Sequence, residues 1–137
     1  MKSKKVVITD ADYGRLQRLI ESSKGFRHRD AEHLDELEQE LERATVVRSG
    51  EVPQNVVTMN SRVRVRDLSN GLEATYQIVF PRDADVAKNR ISVLAPIGTG
   101  LLGCSAGASI ECPVPSGMRR FRILKIEYQP EAAVAAA

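Results

Sequence analysis

Apolar residues recur at helical spacing in two segments near the start of the chain, and we therefore predict two helices there. The first runs from about Asp10 to Ser22 and the second from about Ala31 to Ala44. Their apolar faces consist of Tyr13, Leu16, Leu19 and Ile20 in the first helix and Leu34, Leu37 and Leu41 in the second. Because only a short basic loop separates them, the helices should form an antiparallel hairpin.

The ends of these helices carry recognisable capping residues. Thr9 and Asp12 have the spacing of a capping box at the first helix, and Asp30 is well placed as the N-cap of the second. At 1.5 Å per residue the second helix is roughly 20 Å long. A hairpin this short needs a base on which to dock.

The apolar period changes to two from Val56 onward, which indicates strands. Residues 49–55 lose the helical period and contain Gly50 and Pro53, so we predict a linker there. The resulting division is a helical hairpin over 1–48, a sheet domain over 56–130 and a flexible, alanine-rich tail over 131–137. The fold class is α+β, because a run of strands with one short helix follows the hairpin.

Within the sheet domain we predict strands over 61–66, 73–80, 90–94, 109–114 and 119–128, paired as an antiparallel sheet. Asn70 and Gly71 supply a tight turn between the first two of these strands, since both residues tolerate positive φ. Residues 96–103 read as a short helix that docks on the sheet and stops at Gly103.

Composition narrows the possible functions of these 137 residues. There is no Trp, and aromatic residues are only 4% of the chain, so an aromatic-lined pocket is hard to assemble. Cys104 and Cys112 are expected to be reduced thiols in or near the core. His28 and His33 are five positions apart, whereas zinc-binding pairs usually lie three or four apart. We expect no metal, no other cofactor, no membrane span and a cytoplasmic protein.

Charge is distributed unevenly along the chain. Acidic residues dominate the second helix, although the formal net charge is +2. On the predicted strand 61–66, Arg62, Arg64 and Arg66 share the face opposite Val63 and Val65. This arginine face is either an ordinary exposed sheet surface or a contact for nucleic-acid phosphates, and the sequence leaves direct nucleic-acid binding open.

Three segments together resemble a known family. They are VVTMNSRVRVRDLSNG (56–71), ISVLAPIGTGLLG (91–103) and FRILKIEYQPEA (121–132). As a set they resemble the C-terminal domain shared by the Gre transcript-cleavage factors and the regulator of nucleoside diphosphate kinase (Rnk) family. The phrase VVTMNSRV and the ending EYQPEA look specifically like Rnk.

The resemblance implies an FKBP-like sheet domain that binds RNA polymerase at its secondary channel, with the hairpin pointing inward. It implies polymerase contacts through Pro96, Ile97 and Leu101, and places Asp30 and Glu32 at the hairpin tip. Asp30 is then a tip acid, a simple N-cap, or both. Rnk-type proteins are expected to compete with the longer Gre factors, and the cations Lys24, Arg27 and Arg29 near the tip argue against a magnesium-dependent cleavage role.

Two other functions remain as alternatives to a non-enzymatic polymerase-binding regulator. An FKBP-like fold suggests a prolyl isomerase, which the scarcity of aromatic residues disfavours. The arginine face suggests a nucleic-acid-binding module with salt-sensitive affinity. A kinase activity is not inferred, because the chain has no Gly-rich phosphate loop. We favour a monomer over a dimer.

Overall fold

Two helices come early in the chain, as the apolar spacing predicts. The structure is a computed structural model that describes residues 5–23, 31–114 and 117–136. Helix α1 spans Asp10–Ser23 and helix α2 spans Ala31–Arg43. Leucine and isoleucine side chains from both helices are buried in one core with the sheet domain: Leu16, Ile20, Leu34, Leu37 and Leu41. In the described ranges, no helix has the length and apolar character needed to cross a bilayer.

The foot of the helical pair is a small parallel sheet, whose pairing was not predicted from the sequence. Strand β1 (Val7–Thr9) leads into α1, and strand β2 (Thr45–Val47) follows α2 and pairs with β1 in parallel. The backbone N–H of Val7 donates to the carbonyl of Gly103 at 2.9 Å. The base of the helical pair is therefore hydrogen-bonded directly to the sheet domain.

The main sheet has five strands in the order β5-β4-β3-β7-β6. Their bounds are Arg62–Asp67 (β3), Glu73–Val79 (β4), Arg90–Ser92 (β5), Ser109–Val114 (β6) and Gly117–Tyr128 (β7). Gly71 has φ +76° in the turn between β3 and β4, as the Asn-Gly pair predicts. The α+β class is confirmed, with a mostly antiparallel sheet after the N-terminal helices.

Strand β5 differs from the prediction of a purely antiparallel sheet. It pairs with β4 in parallel, with Ile78 opposite Ile91. Two short 3₁₀ turns, at Pro81–Asp83 and Val86–Lys88, carry the chain back before β5 begins. Because the chain returns along the sheet edge before it pairs again, β5 runs in the same direction as β4.

One face of the sheet is covered by helix α3 (Pro96–Leu101) and forms the core. Val63 and Val65 of β3 and Phe121 and Ile123 of β7 lie on this buried face. Both cysteines, Cys104 and Cys112, are also buried, as expected. The alternation of β3, with its arginines exposed and its valines buried, is the one predicted.

The C-terminal segment also differs from its prediction. Residues Pro130–Ala136 form helix α4, where the sequence predicted a flexible tail over 131–137. The Glu131 carboxylate accepts a hydrogen bond from the Thr58 hydroxyl at 2.7 Å, and Gln129 Nε2 donates to the carbonyls of Pro53 and Val56 at 2.8 Å. These distant contacts fix the start of a segment whose alanines have high helix propensity.

Candidate functional site

Ile97 lies at the start of α3, where the chain is held firmly. Ala95 is extended, with φ −70° and ψ 148°, and Pro96 occupies the first helical turn, where its missing N–H costs nothing. The Thr99 hydroxyl donates to the Val93 carbonyl and the Thr99 N–H to the Ala95 carbonyl. Pro96 and Ile97 are both half-buried, so part of each side chain remains accessible on a well-fixed support.

Leu101 occupies a different environment from the other two residues predicted to contact polymerase. Its side chain is 0% exposed and belongs to the core. Gly98, Thr99 and Leu101 form the buried side of α3, whereas Ile97 is only half-buried. The prediction of a direct contact through Leu101 is therefore corrected: this residue supports α3 from inside.

A cleft of about 470 Å³ lies beside Ile97, on the covered face of the sheet. We call it the Ile97 cleft. Its apolar wall is formed by side chains from three neighbouring strands: Val65, Ala74, Tyr76 and Phe121. Register explains this grouping, because Val65 is opposite Ala74, and Asp67, which also lines the cleft, is opposite Phe121. The alternation of β4 predicted a common face for Ala74 and Tyr76, but the proximity of Phe121 depends on strand pairing.

Two rings therefore meet in this cleft, whereas composition argued against an aromatic-lined pocket. Phe121 is only 5% exposed, so most of its surface is already used in the core. Tyr76 is half-buried and offers more surface to a partner. The cleft is therefore an apolar surface with limited ring area.

An ion pair borders the Ile97 cleft. Asp67 accepts hydrogen bonds from the Ser69 hydroxyl at 2.6 Å and the Ser69 N–H at 2.9 Å, and also from Arg119. The Ser69 hydrogen bonds, followed by those and the charge of Arg119, hold the pKa of Asp67 below its usual value. The rim of the cleft is thus charged at neutral pH, which favours a partner with complementary polar groups around an apolar centre.

The arginine face lies on the opposite side of β3. Glu73 accepts from Arg64 Nε at 2.9 Å and from Arg66 Nη2 at 2.6 Å. The Arg66 and then the Arg64 hydrogen bonds lower the pKa of Glu73. Arg62 lies over the Tyr128 ring, 4.5 Å from its centroid. All three arginines predicted for this face are exposed as expected, but each already has an intramolecular partner.

The neighbouring strand β7 carries further cations, which lie on both faces of the sheet. Arg120 pairs with Glu111 at 2.9 Å, while Arg119 points to the other side of the sheet towards Asp67. Arg122 and Lys125 are exposed, and neither has an ion pair within the part of the chain that the structure describes. The face therefore retains a moderate positive charge concentrated on β7.

The predicted hairpin tip lies at the limit of the described chain. Asp30 is outside the described residues, and Glu32 lies in the first turn of α2, with its side chain outside the described part. The apolar face of α2 is well defined, since Leu34, Leu37 and Leu41 are all buried.

Asp12 fixes α1 to the sheet domain through a contact that the sequence did not indicate. Its backbone N–H donates to Thr9 Oγ1 at 3.1 Å, which is the predicted cap. Its carboxylate, however, accepts from the Met59 N–H at 3.0 Å and from Arg15 at 3.1 Å. Burial raises the pKa of Asp12, against the opposing effect of the Met59 hydrogen bond. The capping-box spacing was the only sequence signal for this residue.

Metal binding finds no support in the described residues, because no group of three or more His, Cys, Asp or Glu side chains is placed to hold an ion there. The two histidines, His28 and His33, lie in parts of the chain whose side chains are not described. The expectation that the protein uses no metal and no other cofactor stays a prediction.

Comparison with known proteins agrees with this architecture. The family model "Transcription elongation factor, GreA/GreB, C-term" matches residues 52–128, and the model "Rnk N-terminus" matches residues 4–47. The regulator of nucleoside diphosphate kinase from Escherichia coli (strain K12) is 38% identical over 129 residues, which are 93% of each chain. Transcription elongation factor GreA from Clostridium botulinum (strain Hall) is 41% identical over 91 residues, covering 66% of this chain and 57% of that protein.

A solved structure shows the same likeness. The prokaryotic transcription elongation factor GreA/GreB from Nitrosomonas europaea superposes with a TM-score of 0.72 at 40% identity, covering 92% of this chain and 100% of that one. By name, these relatives are regulators or transcription factors and not enzymes. The chain therefore belongs to the Rnk and GreA/GreB family, with an Rnk-type N-terminal segment before a GreA/GreB-type C-terminal domain.

Proposed function

We propose that this protein is a non-enzymatic transcription regulator that binds RNA polymerase near its secondary channel through the Ile97 cleft. The observation that carries the proposal is the placement of Ile97. An apolar side chain fixed at the start of α3, above an apolar cleft with a charged rim, suits a protein partner that inserts apolar residues. Membership of a transcription-factor family makes RNA polymerase the expected partner.

The short helical pair supports competition rather than catalysis. Helix α2 has 13 residues and is therefore roughly 20 Å long. We propose that it enters the channel, blocks access by longer Gre-type factors and does not stimulate RNA cleavage. The acids Asp30 and Glu32 are proposed to lie at its tip, next to the cations Lys24, Arg27 and Arg29.

Purified components test this proposal directly. The protein should bind core RNA polymerase in a pull-down, reduce binding of a Gre factor in proportion to its concentration, and leave the cleavage rate of stalled complexes unchanged when added alone. Failure to bind core polymerase would overturn the proposal. Stimulated cleavage would instead refute its competition-only part.

A substitution in the Ile97 cleft should separate docking from folding. Ile97→Asp is expected to weaken polymerase binding at least about tenfold, because it brings an unpaired carboxylate into an apolar contact. Val86→Asp is the matched control, since Val86 is 87% exposed on the loop between β4 and β5. Equilibrium binding to polymerase gives the affinity, and urea unfolding gives the stability. Equal affinity for the two variants would remove Ile97 from the interface.

The alternative functions receive less support from the geometry. A prolyl isomerase needs an aromatic-lined pocket, but little of Phe121 is accessible in the Ile97 cleft, so we expect no acceleration of peptide isomerisation. For nucleic-acid binding, Arg64 and Arg66 are held by Glu73, which leaves Arg122 and Lys125 as the available cations. Neither alternative is proposed as the function.

A further inference from the structure

A second cleft, of about 580 Å³, lies between α1 and the segment that follows β4. It is separate from the Ile97 cleft, and the proposed polymerase docking does not use it. Arginines from both sides line it, namely Arg15 and Arg18 of α1 and Arg82 of the loop, with Asp83 as the acid among the lining residues. Leu19, Phe80 and Pro81 form an apolar wall. We call this the α1 cleft.

Two of its arginines are not hydrogen-bonded to an acid among the described residues, so their guanidinium groups are available to a ligand. Arg18 is exposed and has no ion pair among the described residues. Arg82 is 87% exposed, and its Nε is 3.9 Å from the Asp83 carboxylate, too far for a hydrogen bond. Arg15 differs, because it is engaged by the buried Asp12. The α1 cleft therefore presents two guanidinium groups from opposite sides, a geometry suited to an anion with several oxygens.

The apolar wall of the α1 cleft favours a ligand that also carries a flat, apolar group. Phe80 is half-buried, and the Arg15 guanidinium lies 6.0 Å from its ring centroid, at the outer limit of a cation–π contact. Such a loose contact leaves ring surface for another planar group. A flat heteroaromatic ring could stack on Phe80 between Leu19 and Pro81, since stacking on an aromatic side chain accepts any base.

Anionic and flat aromatic groups occur together in nucleotides. We propose that the α1 cleft binds a nucleotide, with its base against Phe80 and its phosphates at Arg18 and Arg82. The volume lies within the range of about 300 to 1,000 Å³ that is typical of small-molecule sites. Asn60, which lines the same cleft, offers an amide for polar contacts with the sugar or base. Because this site does not involve polymerase, its test is independent of the function proposed above.

Titration of the full-length, ¹⁵N-labelled protein with ATP tests the site. Saturable amide shifts are expected around Leu19, Phe80 and Arg82. Tripolyphosphate and adenosine serve as partial ligands, and each should bind at least about tenfold more weakly than ATP, because each fills only half of the site. No saturable shift with millimolar ATP would overturn the proposal.

Variants distinguish a built site from general attraction of anions. Arg18→Gln combined with Arg82→Gln should weaken binding of both ATP and tripolyphosphate at least about tenfold. Phe80→Leu should weaken ATP binding and leave tripolyphosphate binding unchanged. Arg122→Gln combined with Lys125→Gln removes the same charge from the arginine face and should leave ATP affinity unchanged; an equal loss here would refute a specific site.

An oligonucleotide without a terminal triphosphate completes the comparison. Tighter binding of this oligonucleotide than of ATP at the same residues would overturn the assignment to a free nucleotide and indicate a nucleic-acid strand. Urea unfolding of each variant shows whether it is folded. The arginine variants change surface residues, so they still test the proposal if Phe80→Leu unfolds the protein.

Discussion

Gly98→Ala is expected to destabilise the protein by about 3 kcal/mol, near the upper end of the usual cost of overpacking. A Cβ at this position would overlap the Ser92 carbonyl oxygen and lie 3.1 Å from the Ser92 carbonyl carbon and the Val93 Cα. These are backbone atoms, and Ser92 is fixed by its pairing with Val79 in the sheet. The added methyl can fit only if α3 moves away from β5. Urea unfolding measures the loss.

Gly14→Ala is the matched control, because it makes the same chemical change in a helix with space around it. A Cβ at Gly14 meets only Arg18 Nη1, at 3.8 Å. The control should gain up to about 1 kcal/mol from higher helix propensity. Similar stability for both variants would contradict the close packing of α3 on β5. The displacement of α3 should also weaken polymerase binding by Gly98→Ala, since Ile97 precedes it directly.

The second large effect concerns the attachment of α1. Asp12→Ala is expected to cost about 2 kcal/mol, because the buried Met59 N–H loses its acceptor and the carboxylate of Asp12 is 2% exposed in the native fold. Asp12→Asn should cost less, since an amide oxygen can still accept from Met59. Urea unfolding at neutral pH compares the two, and an equal cost would show that the Met59 hydrogen bond contributes little.

The same residue predicts a specific pH dependence. Burial raises the pKa of Asp12 in the folded protein above its value in the unfolded chain. The folded state then binds the proton more tightly, so the contribution of Asp12 to stability is fully present at low pH and is lost as pH rises through the folded pKa. Relative to Asp12→Asn, the wild-type protein should therefore gain stability as pH falls from 7 towards about 4. A difference that stays constant over this range would contradict the raised pKa.

Sequence patterns predicted the elements of the fold that depend mainly on residues close together along the chain. The leucine spacing of α2, the alternation of arginine and valine in β3 and the Asn70–Gly71 turn are all present in the structure. Long-range pairing was not predictable in the same way. Strands β1 and β2 have three residues each and are separated along the chain by both helices, so neither segment is long enough to indicate its partner.

The candidate site could likewise be predicted only in part, because some of its contacts depend on long-range strand pairing. The family resemblance directed attention to Pro96 and Ile97, but it could not say that Leu101 faces the core or that Phe121 reaches the same cleft as Tyr76. That meeting depends on register in β7, which shifts twice against β3. A one-residue shift reverses which side chains face inward, and no local pattern reveals where such shifts occur.

The short path from α3 to the foot of the helical pair has a mechanical consequence. Ile97 and Gly103 lie at the two ends of one short segment, and the Gly103 carbonyl accepts from Val7 at the entrance to α1. A second attachment, from Met59 to Asp12, holds the first turn of α1. In the complex proposed above, a partner that binds Ile97 would therefore also fix the direction of the helices, with little additional loss of orientational entropy. The two attachments would then let the sheet domain orient the helices as well as hold the partner.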